Sequence, residues 1–328
     1  MGVEMDSSHR RDIDVETMES GSRRFKAKVT RLGDYLGRYA RDEYAQIVVD
    51  AINARSDVYA IPHDARSVHR SARQNRLLAA LDAEDYECLL PHLELVHLPC
   101  GRIVHEARTD VEHVFFPVTS IVSLLNELEN GTSVEVSAVG HEGVVGVSAF
   151  MGGGSTTSRA VARSAGFGYR LRAHALNDEF DGRPTLRHLF LRYAQSLVAQ
   201  TAQTAVCHCH HSIEQQLCRV LLFTLDRVPT NDLRLTQDLI AGLLGVRRES
   251  VTAAAGKLQA DGLIRYHRGH VAIVSRPGLE SRVCECYAAV KSEHDRVFAD
   301  RETPKRVDRS MVCRAAPTRP RAPMGEMP

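Results

Sequence analysis

Residues 235–252, LTQDLIAGLLGVRRESVT, and residues 253–274, AAAGKLQADGLIRYHRGHVAIV, decide how this chain reads. Thr236 suits the start of a short helix, because its hydroxyl accepts from an amide that the first turn leaves free. Leu239, Ile240, Leu243 and Leu244 recur at the spacing of one helical face. Ala241 is small where a second helix must cross closely, and Gly245 supplies the positive φ of a sharp turn. Val246 sits in that turn, and Val251, Ala255 and Leu258 point a second helix inward. Asp261-Gly262 ends it. Leu263 to Tyr266 and Val271 to Val274 are strand-like, and His267-Arg268-Gly269-His270 between them reads as a hairpin tip. Together these predict a winged helix-turn-helix, with its second helix free to enter a major groove. The plain alternative is two packed helices and a hairpin in an unrelated α/β protein.

Upstream, Pro184 to about Asp226 predicts helix, broken at His211-Ser212-Ile213. Leu186, Phe190, Tyr193, Leu197, Gln200, Thr204 and Cys207 follow alternating steps of four and three, a heptad-type seam. Such a seam packs either on the chain's own body or on a second copy. Ile213, Leu217, Val220, Leu221 and Leu225 form a further amphipathic face, and Val228-Pro229-Thr230-Asn231 is a connection. Earlier still, Glu94–Leu98, Ile103–Glu106, His113–Pro117, Ile121–Leu128, Ser133–Val139 and Ala160–Arg172 are short apolar runs. Turn residues at Gly101, Asn130-Gly131, Gly140-His141 and Gly152-Gly153-Gly154 separate them, which predicts an antiparallel barrel or double-sheet roll. A helix start at Asp82 precedes them. Downstream of the hairpin, Pro277 to about Ala299 predicts one more helix, with Leu279, Val283, Tyr287 and Val290 on a face.

A length of 328 residues suits two domains plus extensions. The net charge of +1 excludes a protein that grips nucleic acid by bulk charge, so any such contact needs a local patch. Arg234, Arg247, Arg248, Lys257, Arg265 and Arg268 supply one. No apolar run is of bilayer length and the first residues lack a signal peptide's apolar core, so a soluble cytoplasmic protein with no membrane partner is expected. Its eight cysteines are then expected to be mostly reduced. The chain has no His-Glu-x-x-His motif, nucleophile elbow or phosphate loop, so no enzyme is expected.

The chain resembles the Crp/Fnr family of bacterial transcription regulators. The matching residues are Leu235-Thr236, Gly245, Arg248-Glu249-Ser250-Val251, Lys257-Leu258 and Gly262-Leu263-Ile264, and the likeness extends upstream to about Asn75. It implies an α+β fold: an antiparallel sensory β-roll of the cyclic-nucleotide-binding kind, a long dimerisation helix and a C-terminal winged helix-turn-helix. The expected divisions are an N-terminal extension at 1–72, partly disordered, a roll at 73–183, the long helix at 184–211, the DNA-binding domain at 212–298 and a disordered basic tail at 299–328. The implied partners are a second copy of the chain, a double-stranded DNA operator and RNA polymerase.

By the same resemblance, Arg248 and Glu249 hold base-reading positions, and Thr236 matches a phosphate-contacting one. The chemistry agrees: an Arg fork matches the two acceptors of guanine, and Glu accepts from the cytosine amino group. Gln237, Arg247, Ser250, Thr252 and the hairpin-tip Arg268 complete the candidate DNA-contacting set. Ala253 stands where the best-known members carry a second base-reading Arg, and Arg247 replaces a small capping residue. The operator of those members is therefore not carried over. A cyclic-nucleotide pocket of this fold uses Gly-Glu for the ribose hydroxyl and an Arg about eleven residues on for the phosphate. Here Gly146-Val147 stands at the Gly-Glu position, and a valine cannot accept that hydrogen bond. Gly146, Arg159 and Glu142 remain the candidate effector residues, in a pocket degenerate for cyclic nucleotide, and no cofactor is expected there. The alternative function is metal or redox sensing. Cys207, His211 and Cys218 are its candidates, and Cys284 and Cys286 offer further ligand types. Cys207 facing its own copy in a dimer would give an intersubunit disulfide. The family's iron–sulfur branch needs cysteines near the N-terminus, and only Cys88 and Cys100 precede the long helix.

Overall fold

The computed structural model describes residues 72–228 and 230–299, so the expectations for the N-terminal extension and the basic tail lie outside the described residues. Asn75 lies near the start of the described residues and is fully buried. Its Oδ1 accepts from Leu77 and Leu78 at the start of helix α1 (Arg76–Ala79). Its Nδ2 donates to the carbonyls of Pro117 and Gly143 at 2.9 and 2.8 Å. A fully buried amide satisfied on both sides fixes where the chain enters the core. Asp82 then caps α2 (Ala83–Leu89) by accepting from Asp85, where the sequence places a helix start.

Seven strands follow: β1 (Glu94–Leu98), β2 (Ile103–His105), β3 (His113–Pro117), β4 (Val122–Glu127), β5 (Ser133–Val139), β6 (Arg159–Ala162) and β7 (Gly166–Arg172). They form two antiparallel sheets, β1-β7-β3 and β2-β6-β4-β5, which is the double-sheet roll. The apolar run Ala160–Arg172 is two strands rather than one. It breaks after Ala162, and its halves lie in different sheets.

Helix α3 (Ala173–Phe180) leads to the long helix α4 (Pro184–His210). Phe190 is fully buried and meets Phe116, Phe150 and Phe180 edge-on, at 6.1, 5.4 and 5.8 Å between ring centres. Aromatic packing thus seats the first turns of α4 in the roll. All seven residues of the predicted seam, Leu186 to Cys207, are buried inside the chain itself. The seam is therefore an intramolecular face, against the reading that pairs it with a copy. Part of its cover comes from much later in the sequence. Helix α9 (Cys286–Ala299) runs back along α4, with Cys286 beside Gln203 and the Arg296 carbonyl accepting from Arg192. The open face of α4 carries Leu191, Val198 and Val206, each about half exposed, with Gln195, Ala202, Ala205 and Cys209 between them.

Ser212 and Gln215 form a capping box that starts α5 (Ile213–Leu225), where the sequence predicts a break. Strand β8 (Asp232–Arg234), which the sequence reading missed, lies at the edge of a three-stranded sheet with the hairpin β9 (Ile264–His267) and β10 (His270–Ile273). Helices α6 (Gln237–Leu244) and α7 (Arg248–Ala260) complete the winged helix-turn-helix. The single predicted helix Pro277–Ala299 is two, α8 (Arg276–Arg282) and α9, because Val283 turns to extended backbone.

Buried charge joins the DNA-binding region to the roll. Arg227, just past α5, places Nε and Nη2 each 2.8 Å from Glu142 Oε1 in the loop after β5. Arg163 reaches Glu135 at 3.0 Å and Thr224 Oγ1 at 3.2 Å.

Candidate nucleic-acid interface

Thr236 caps α6, its Oγ1 accepting from Leu239 at 3.1 Å. Gly245 ends α6 at φ +64, the left-handed conformation that the turn needs. That turn aims the start of α7 outward. Val251, Ala254, Ala255 and Leu258 bury one face of α7, which leaves Arg247, Arg248, Glu249, Thr252 and Ala253 on the open side. Ser250 is half-buried beside them. Gln237 holds the group in order: its Oε1 accepts from Thr252 Oγ1 at 2.8 Å and, at a long 3.5 Å, from Arg248 Nε. Arg248 also lies 3.6 Å from Asp238, with both side chains mostly in solvent, so the guanidinium is steered but not locked. Arg247 stands at the N-cap of α7 and makes no capping bond, since a guanidinium has nothing to accept with.

The hairpin tip comes to the same side. Arg268 and Gly269 take φ +46 and +82, positive at both central residues as a two-residue type I′ turn requires. Leu235 N donates to the Gly269 carbonyl at 2.9 Å, and Tyr266 Oη donates to the Leu235 carbonyl at 2.8 Å. These bonds dock the wing against the start of α6. Bonds from Gln237 thus tie the head of α6 to Arg248 and Thr252 on α7, and the wing tip lies against Thr236; Arg247, Glu249 and Arg268 are exposed, while Gln237 and Ser250 are half-buried.

The three effector candidates do not come together. Arg159 lies on β6 and pairs at the surface with Glu106 and Glu127, at 3.1 and 3.6 Å. Gly146 turns with φ +97 against Val111 and His113. Glu142 is the buried partner of Arg227. Burial alone would raise its carboxyl, but the charge and hydrogen bonds of Arg227 outweigh that and hold it at about 2. The space between roll, α4 and α5 is a polar cavity of about 20 Å³, whose walls include Glu135, Ser137, Arg163, Gln200, Thr204 and Arg219. That volume admits about one water. Of these, only Gln200 and Thr204 stand out in the sequence, as seam residues; the others lie on β5, the loop after β6 and α5, far apart in the chain.

Of the metal candidates, Cys207 and His211 converge and Cys218 does not. Cys218 is buried in the core of the DNA-binding domain, where burial pushes its thiol up to about 12. Cys284 and Cys286 take its place beside Cys207 and His211. Cys207 is wholly buried and faces Cys284, so it is closed to a second copy of the chain.

The family model for the Crp-like helix-turn-helix domain matches residues 215–282. No curated protein matches the chain in sequence. Among solved structures, a protein from Eubacterium rectale assigned to the Crp/Fnr transcriptional regulators is 16% identical, over 64% of this chain and 98% of that one, at a TM-score of 0.53. FixK2 from Bradyrhizobium japonicum is 14% identical over 58% of this chain and 98% of its own, at 0.51. The c-di-GMP-responsive global regulator CLP of Xanthomonas campestris is 19% identical over 59% of this chain and all of its own, at 0.50. At such identities the likeness establishes the fold. Among the described residues no helix is long and apolar enough to cross a membrane. Residues 215–282 thus carry a Crp-like helix-turn-helix domain, and the β-roll and long helix before it share the fold of solved Crp/Fnr regulators.

Proposed function

We propose that the chain reads a palindromic DNA operator as a homodimer, with the first turn of α7 entering the major groove in each half-site. The observation that carries this reading is the exposed set Arg247, Arg248 and Glu249 at the head of α7, with Arg248 and Thr252 bonded to Gln237 and with Arg268 exposed on the wing. In this arrangement Arg248 reads a base edge, while Thr236 and Arg268 contact phosphates. The open face of α4, with Leu191, Val198 and Val206, is the surface offered to the second copy. Two-fold pairing there places half-sites about one helical turn, ~10 bp, apart. RNA polymerase is the partner through which bound regulator acts. A signal at the roll would reach the DNA-binding domain through the Arg227–Glu142 and Arg163–Thr224 contacts.

An operator selected from random duplex DNA supplies the test. Arg248→Ala should weaken that operator by about 1–3 kcal/mol, roughly 5- to 150-fold, and relax sequence preference at one base position. Arg248→Glu should abolish specific binding. Unchanged affinity and preference in both variants, measured by fluorescence anisotropy, would refute the assignment.

A further inference from the structure

We propose that Cys207, His211, Cys284 and Cys286 bind one zinc ion, in a closed tetrahedral site that pins the C-terminal end of the DNA-binding domain to the long helix. One ligand atom from each of the four lies within 4.8 Å of the others. Tetrahedral zinc, with bonds of roughly 2.3 Å to sulfur and 2.0 Å to nitrogen, sets S···S edges near ~3.8 Å and S···N edges near ~3.5 Å. Cys207 Sγ and Cys284 Sγ are 3.6 Å apart, and Cys286 Sγ is 3.4 Å from His211 Nδ1. The chain places these groups for physical reasons. His211 caps the end of α4 four residues past Cys207, and its amide donates to the Cys207 carbonyl at 3.1 Å. Val283 turns the backbone to extended after α8, which brings Cys284 and then Cys286 against that turn. Gln216 Nε2 donates to the carbonyls of both Cys207 and His211, at 3.3 and 2.9 Å, and so holds the two ligands in register.

The surroundings are those of a metal site. His211 turns Nδ1 to the cluster and Nε2 to Glu285 Oε1 at 3.3 Å, the carboxylate–histidine arrangement that fixes the ring for metal binding. Gln203 Nε2 donates to Cys286 Sγ at 3.1 Å, and an N–H donor suits a thiolate better than a neutral thiol. The three sulfurs are at most 3% exposed and four protein groups fill the coordination sphere. That makes the site a structural one with no open position. Zinc binding displaces three thiol protons to solvent and leaves a complex of net charge −1, with the Arg219 cation close enough to Cys207 to offset it. Because zinc takes thiolates and displaces their protons, its affinity should rise with pH.

The site stands apart from the operator-reading surface, so either proposal can fail alone. The full chain, reduced and chelator-treated, is titrated with Co²⁺ and separately loaded with Zn²⁺ and passed through gel filtration. The expected result is one retained zinc per chain and the visible absorption of tetrahedral, thiolate-bound cobalt. Cys284→Ser, Cys286→Ser and His211→Ala should each lose the stoichiometric ion, while Cys209→Ser, at an exposed position on the open face of α4, should keep it. Glu285→Gln should keep the ion but weaken it about 10- to 100-fold. Chelation of the wild type should speed amide exchange across 284–299. Folded wild-type protein that retains no zinc and gives no tetrahedral cobalt spectrum overturns the proposal. So does equal retention by a Cys284→Ala/Cys286→Ala variant, or a Cys207–Cys284 disulfide found in place of the ion by peptide mapping.

Discussion

Arg227→Met is the substitution that tests most directly how the roll and the DNA-binding domain are held together. Methionine keeps much of the stem's volume but removes the cation. In the native chain Arg227 gives two 2.8 Å contacts to Glu142 and a further bond to the Ala138 carbonyl at 3.1 Å. Both paired side chains are less than 10% exposed. Without Arg227 the carboxylate keeps only the Gly140 amide, at 3.1 Å. A buried charge stripped of its partner costs about 3–5 kcal/mol. A carboxyl held at about 2 rather than 4.5 corresponds to about 3 kcal/mol, which agrees. The sign with pH follows. In the wild type the carboxyl is depressed on folding, so its contribution is full above its unfolded value of 4.5 and is lost as the pH falls through about 2. In the variant burial is opposed only by the Gly140 amide and the neighbouring His294 and His141, so the carboxyl should rise, and mild acid then neutralises it and relieves the penalty. Urea unfolding followed by circular dichroism should show a loss of ~3–5 kcal/mol at neutral pH that narrows toward pH ~4. Glu142→Gln in the same background should recover much of it. A neutral-pH loss below about 1 kcal/mol, or one that does not change with acid, would refute the reasoning.

Two further expectations concern α4 and its seat. Val198→Glu sets a charge on the open face of α4 and, joined with Leu191→Glu, should leave the protein monomeric in sedimentation equilibrium; a dimer that survives both excludes that face as the interface. Gly143→Ala drives a methyl into the buried Tyr193 ring, with overpacking expected to cost about 1–3 kcal/mol and lower Tm by several degrees; an unchanged Tm would mean that α4 shifts freely against the roll.

Local chemistry was legible in the chain and long-range cover was not. Thr236, Gly245 and the Arg268-Gly269 tip declare themselves because caps and turns are decided by neighbouring residues. The helix α4 shows the limit. Leu186 through Cys207 and Leu191 through Cys209 both recur in steps of three and four, so periodicity finds two faces. Which face is covered depends in part on α9, about 80 residues later in sequence. For the same reason Cys207 and His211 could be paired by helical geometry, while Cys284 and Cys286 could not be chosen over Cys218. The expected Gly146–Arg159–Glu142 set failed through a similar gap. Arg227, which claims Glu142, lies 85 residues further on.

Where α9 meets α4 has a mechanical corollary. The DNA-binding domain begins just after His211 and ends at Cys284–Cys286, and the two ends come within 3.4 Å of each other. Both tethers therefore share a single pivot, as a gate hangs from one post. The buried Arg227–Glu142 and Arg163–Thr224 contacts brace the same body against the roll, so any rotation about that pivot has to break them. Adjacent ends also make the domain an inserted module that could be excised through one narrow neck without cutting the scaffold elsewhere.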